Sequence, residues 1–270
     1  MRFSLLWAVV VATQVAAKQM TVAKSYTGWD CCKPICANGN KNKDILNNRQ
    51  EHQIDSQRQP FQMKRPPDAE IVRANTKAMI RGVVKVCDKN NQVQDQDTGL
   101  WATTGCSNGG TAFLCDAFQP VPVADDLSYG FAIKVSASQA EDNPDCCKCY
   151  DVQWLSGNAA GKRMIVQIVT PGGSGGDVKR DDLIILIPGG GLGPLNSGCP
   201  RQYGNSYNWG NNQGGVANRT ACEKLPANLQ GGCYWRFNWA KGDLSGWDIN
   251  YTPITCPDRL TSISGCHANP

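Results

Sequence analysis

Apolar positions along this chain come in short blocks separated by turn-forming residues, and sustained helical periods are rare. Met164-Ile165-Val166-Gln167-Ile168-Val169 and Leu183-Ile184-Ile185-Leu186-Ile187 are short β-branched runs closed off by Gly and Pro. Gly130-Phe131-Ala132-Ile133-Lys134-Val135 is a third. Runs of this length and composition predict buried strands. Helical signals are confined to Arg219–Leu225 and the region after Cys256. The pattern predicts a mainly β domain, a barrel with long loops and few short helices.

One stretch breaks the pattern. Residues 38–80 are rich in Asn, Gln, Lys and Arg, with isolated apolar residues and no period. They read as a polar insert, either a disordered loop or a retained intron. Between 37 and 86 there are ten Lys/Arg against five Asp/Glu, a net of +5, while the whole chain carries only +4. The basicity therefore belongs to the insert, and the charge gives no reason to expect nucleic acid or an acidic membrane as partner.

The 14 cysteines run from Cys31 to Cys266 with no Pro/Ser/Thr-rich linker between them, which predicts one domain over 18–270. Residues 1–17 carry Arg2, an apolar stretch from Leu5 to Ala12, and small residues at Val15 and Ala17. That is the pattern of a secretory signal peptide, so a secreted, extracellular protein with seven disulfides is expected. A metal site is not expected at Cys146-Cys147-Lys148-Cys149. The only histidines are His52 and His267, and the Cys-x-x-Cys spacing from Cys146 to Cys149 has no second such pair to complete a four-ligand site. The same scarcity argues against Ser-His-Asp chemistry. Asn218-Arg219-Thr220 and Asn250-Tyr251-Thr252 are glycosylation sequons. Gly189-Gly190-Gly191 lacks the Gly-Lys-Ser/Thr of a phosphate loop and reads as a tight turn after a strand.

The candidate chemistry lies in carboxylates. In Trp29-Asp30-Cys31-Cys32-Lys33-Pro34-Ile35-Cys36, an acid is followed by two cysteines and then a third. Oxidised, these would hold Asp30 rigidly, as hydrolysis of a glycosidic bond by paired carboxyl groups requires. Asp177, Asp181 and Asp182 form the second acidic cluster, between Gly175-Gly176 and the run ending at Ile187. An acid at the mouth of a buried strand is partly desolvated, which suits it to donate a proton. Trp29, Trp235, Trp239 and Tyr150 are the candidate sugar-stacking aromatics.

Taken in order, the Trp29–Cys36 segment, Asp126 with Gly130-Phe131-Ala132, Cys146–Tyr150, Ala160-Gly161-Lys162, Gly175-Gly176-Asp177, Ile187-Pro188-Gly189-Gly190-Gly191 and Gly232–Phe237 resemble glycoside hydrolase family 45, the small secreted endoglucanases. The resemblance covers roughly 25–36 and 83–266. It implies a six-stranded double-psi β-barrel and inverting hydrolysis of β-1,4-glucan, without cofactor or metal. Asp30 would be the general base, Asp177 a loop acid that stabilises charge, and a further Asp before the Pro-Gly-Gly-Gly turn the general acid. The implied pairing is Cys31–Cys199, Cys32–Cys106, Cys36–Cys146, Cys87–Cys115, Cys147–Cys266, Cys149–Cys256 and Cys222–Cys233.

Two departures stand out. Gly28 occupies the place of the family's Tyr before the Trp-Asp pair, and counting back from Pro188 the general-acid position falls on Ile184. Counting forward from Cys149 gives Asp181, and matching the family's Asp-Leu dipeptide gives Asp182, the expected acid with Asp181 as alternative. The expected function is a secreted endo-β-1,4-glucanase acting as a monomer on β-1,4-glucan. The alternatives are a xyloglucanase or glucomannanase of the same family, or a non-catalytic, expansin-like polysaccharide binder if the acid is lost. No carbohydrate-binding module follows Cys266, so soluble or amorphous chains are expected substrates.

Overall fold

The computed structural model describes residues 20–38, 83–138, 143–173 and 177–268. The expected signal peptide and, apart from residue 38, the polar insert lie outside the described residues. Seven strands form one sheet: β1 (Thr21–Gly28), β2 (Val121–Pro122), β3 (Leu127–Lys134), β4 (Cys149–Trp154), β5 (Arg163–Pro171), β6 (Leu183–Leu186) and β7 (Trp247–Ile254). Their order is β2-β3-β5-β4-β7-β1-β6, and β6 returns to pair antiparallel with β3. That last pairing closes a six-stranded barrel, with β2 as a short outer ribbon. Two neighbour pairs are parallel, β1 with β6 and β3 with β5. The helices are short: α1 (Gln96–Trp101), α2 (Gly198–Tyr203), α3 (Gln230–Asn238) and α4 (Asp258–Ser264).

Each predicted apolar run became a strand, and α4 with a 3-10 turn at Arg219–Lys224 fills the two predicted helical regions. Alternation decides which side chains fill the barrel. Met164, Val166 and Ile168 of β5 and Leu183 and Ile185 of β6 point inward, against Trp154 and Tyr251. Ile184 points the other way and is only partly buried. β1 contributes a polar residue to this interior. Ser25 is fully buried, accepts from the Trp154 indole at 3.0 Å and donates to the Leu244 carbonyl at 2.6 Å, so neither polar group is stranded.

A second apolar cluster lies outside the barrel wall, where Trp29, Phe118, Leu225 and Leu229 pack among the disulfides. The seven bridges join the pairs that the family resemblance implies. Cys31–Cys199 and Cys32–Cys106 tie the chain just after β1 to α2 and to the loop after α1. The Gly189-Gly190-Gly191 turn carries the chain from β6 back across the end of β1. Gly191 has φ +113°, and a Cβ there would sit 2.6 Å from the Asn212 carbonyl oxygen. Only glycine fits this approach.

Candidate active site

Asp30 stands two residues beyond the end of β1. The Trp29 amide donates to the Gly191 carbonyl at 2.7 Å, which fixes the approach. Cys31 then turns the chain with φ +60°, a left-handed conformation that a non-glycine residue adopts at a cost, here held between two disulfides. Asp30 Oδ1 accepts from the Cys32 amide at 2.8 Å. The carboxyl group lines a cavity of about 80 Å3 whose other walls include Leu114, Ile133, Leu186 and Leu195. Burial among these apolar walls pushes the Asp30 pKa up to about 6, against the opposing pull of the Cys32 amide.

The acidic cluster before β6 is built differently. Asp182 is only 4% exposed. Its Oδ1 accepts from the Lys24 amide at 2.8 Å and its Oδ2 from the Lys179 amide at 2.7 Å. The first contact extends the β1–β6 ladder, in which Ser25 pairs with Leu183, by one further rung. Asp181 has φ +73°. Its carboxylate meets the Lys134 ammonium at 2.9 Å, and its carbonyl accepts from the Tyr251 hydroxyl at 2.8 Å. Lys134 also binds Asp145 at 2.9 Å, to which the Tyr150 hydroxyl donates at 2.9 Å. Burial, and then Asp145, push the Tyr150 pKa upward, so the phenol stays a proton donor.

The β1–β6 register places these groups along the strand. Asp182 is bonded at Lys24, and Asp30 lies beyond Gly28. Four residues of extended strand separate Lys24 from Gly28, about 13 Å at ~3.3 Å per residue. An inverting carboxyl pair stands about 6.5–9.5 Å apart. The register thus sets the rung that holds Asp182 four residues back along β1 from Gly28, the last strand residue before Asp30.

Asp177 is exposed, and its carbonyl accepts from the Tyr26 hydroxyl at 3.3 Å, which ties its turn to β1. Ile184 pairs with Tyr26 across the β1–β6 ladder and with Ile133 across the β3–β6 ladder. A Cβ on Gly28 would lie 2.9 Å from Ile184 Cγ2. The two departures from the family pattern thus sit in contact: the isoleucine occupies space that a side chain at position 28 would enter.

The aromatic expectations are corrected by burial. Trp29 is 1% exposed, and Tyr150, Trp235 and Trp239 are at most 7% exposed, which leaves no ring face for a sugar. Trp235 donates to Ser128 Oγ at 2.9 Å and stacks on Trp239, whose indole donates to the Ala124 carbonyl at 2.8 Å. These rings serve packing. Trp101, which no motif singles out, is 51% exposed at the end of α1. It sits in a polar, Gly-containing segment that carries no motif. Of the two sequon asparagines, Asn218 is exposed and caps the Arg219–Lys224 turn by accepting from the Ala221 amide at 3.0 Å, while Asn250 is part-buried in β7. Among the described residues no group of three or more His, Cys, Asp or Glu is arranged to hold a metal ion.

Comparison with known proteins matches residues 70–267 to the model of glycosyl hydrolase family 45. An endoglucanase of Cryptopygus antarcticus is 32% identical over 267 residues, covering 97% of both chains. A putative endoglucanase type K of Fusarium oxysporum is 31% identical over 239 residues, 88% of this chain, which spans only 51% of that protein's length. The crystal structure of a cellulase from the Antarctic springtail Cryptopygus antarcticus superposes with a TM-score of 0.67 at 29% identity, covering 93% of this chain and 99% of the other. This chain belongs to glycosyl hydrolase family 45.

Proposed function

We propose that this protein is an endo-β-1,4-glucanase that cleaves within β-glucan chains with inversion, using Asp30 as its general base. The observation that carries the reading is the setting of Asp30: a carboxyl group in an open, mostly apolar cavity, on a segment pinned by two disulfides, with its pKa raised to about 6. Ionised, Asp30 takes a proton from a water molecule, and the water oxygen bonds to the anomeric carbon. The glycosidic C–O bond breaks, and its electron pair leaves with the departing oxygen, which takes up a proton. One water is consumed and one bond is cut.

Asp182 is an anchor in this reading, because both of its oxygens already accept from backbone amides. Asp181 is likewise engaged, holding its turn to Lys134 and Tyr251. Asp177 is the exposed carboxylate of the cluster, tied to β1 through Tyr26, and takes the proton-donating role. Seven disulfides support action outside the reducing cytosol, with residues 1–17 as the export signal, Asn218 as a glycosylation site and the protein acting as a monomer. The test is reducing-end release from carboxymethylcellulose by the wild type and by Asp30→Asn. Hydrolysis that persists undiminished in Asp30→Asn would sink the assignment.

A further inference from the structure

A second cavity, of about 310 Å3, adjoins the one that holds Asp30 and shares the walls Cys32, Lys33, Ile35 and Leu195 with it. Its far side is Leu100, Trp101 and the chain just after them. Trp101 is 51% exposed and Leu195 is 55% exposed, so among the described residues apolar surface flanks both cavities. The indole is also held. Lys33, only three residues past Asp30, is buried, and its ammonium donates to the carbonyls of Leu100 and Ala102, each at 2.9 Å. These carbonyls bracket Trp101. The segment that carries the base therefore also clamps the backbone on both sides of an exposed indole.

We propose that Trp101 is a sugar-stacking platform that extends the β-glucan groove away from Asp30, with Leu195 on the wall that both cavities share. The proposal rests on the β-glucan reading above. A pyranose ring presents flat C–H faces that pack on an aromatic ring, and a platform whose backbone is already fixed loses little freedom on binding. A glucan chain long enough to reach from the Asp30 cavity into the larger one would contact it, and a short oligosaccharide would not.

The experiment is calorimetric titration of cellohexaose and cellotriose into Asp30→Asn protein, with and without Trp101→Ala, beside reducing-end assays of the catalytically intact forms. Affinity for cellohexaose should fall about tenfold on removing the indole, while affinity for cellotriose should move less than twofold. KM for long oligosaccharides should rise in parallel. If Trp101→Ala does not fold, Trp101→Leu carries the same expectation, since it also removes the ring. A cellohexaose affinity within twofold of the parent, or an equal loss for both oligosaccharides, would overturn the platform. A wild type that releases no reducing ends from any oligosaccharide would overturn the hydrolase reading alone, because the calorimetric comparison still decides Trp101.

Discussion

The two ends of β1 hold carboxylates in opposite ways. Beyond its last residue, Asp30 faces an apolar cavity with one amide for a partner, and its proton is held up to about pH 6. At Lys24, Asp182 is more deeply buried, yet both oxygens accept from backbone amides at 2.7–2.8 Å. Burial alone does not distinguish a reactive acid from a structural one. What separates them is how far backbone amides already hold the oxygens. Each oxygen of Asp182 is held by a backbone amide, whereas Asp30 has the Cys32 amide on Oδ1 and an apolar cavity beside it.

The sharpest way to break this comparison is Asp30→Asn. Hydrolysis of carboxymethylcellulose should fall by about 10² to 10⁴, with cellohexaose binding retained. In the wild type, a base must be ionised, so activity should decline on the acid side with a midpoint near pH 6. A profile flat from pH 5 to 7 would remove Asp30 from the base role.

Next in size is the contrast between Asp177→Asn and Asp182→Asn. The first should lower turnover about 100-fold with little change in melting temperature, as expected for an exposed proton donor. The second should cost about 1–3 kcal/mol of stability, because an amide cannot accept from both the Lys24 and Lys179 amides. Turnover of its folded fraction should stay within a few-fold. Reducing-end assays paired with thermal melts separate the two. A 100-fold loss in Asp182→Asn at unchanged melting temperature would return the acid role to Asp182.

Asp30 should also reveal its setting in stability. Its native pKa of about 6 lies above the ordinary value, so the native state binds this proton more tightly than the unfolded chain. Its contribution is fully present below about pH 4 and is lost as pH rises through about 6. Asp30→Asn, which carries no charge at any pH, should match the wild type near pH 4 and exceed it by roughly 1–3 kcal/mol at pH 7 to 8. Denaturant melts at the two pH values measure the gap, and equal stabilities at pH 8 would contradict the buried, poorly solvated carboxylate.

Legibility in the sequence followed the range of the forces involved. The runs at 130–135, 164–169 and 183–187 announced strands because burial on the inner face writes itself into local composition. β1 did not, since its fully buried residue is Ser25, satisfied by Trp154 and Leu244 from distant strands. The pinned setting of Asp30 was legible because adjacent cysteines mark a fixed backbone. The place of Asp182 was not, because it depends on the β1–β6 register, which local sequence does not encode. Motif tryptophans misled for a related reason: Trp29 and Trp235 are packed at the core, while exposed Trp101 sits in a segment with no motif.

The smallest effect tests whether the groove's two departures from its family are coupled. Gly28 and Ile184 belong to neighbouring strands, and a Cβ on position 28 would approach Ile184 Cγ2 to 2.9 Å. Gly28 is not in the left-handed region, so the obstacle to a side chain there is contact and not backbone strain. Gly28→Ala should therefore cost about 1 kcal/mol in the wild type through overpacking. With Ile184→Ala also present, the same change should be close to neutral. The double-mutant cycle, read from denaturant melts, should return a coupling of about 0.5–1 kcal/mol, in the range of residues in direct contact. Additive effects would mean that the isoleucine yields without strain, and that glycine at 28 answers to something other than its neighbour. A measured coupling would mean that a side chain at position 28 needs the isoleucine removed first. Gly28 and Ile184 would then be a jointly packed pair and not two independent substitutions.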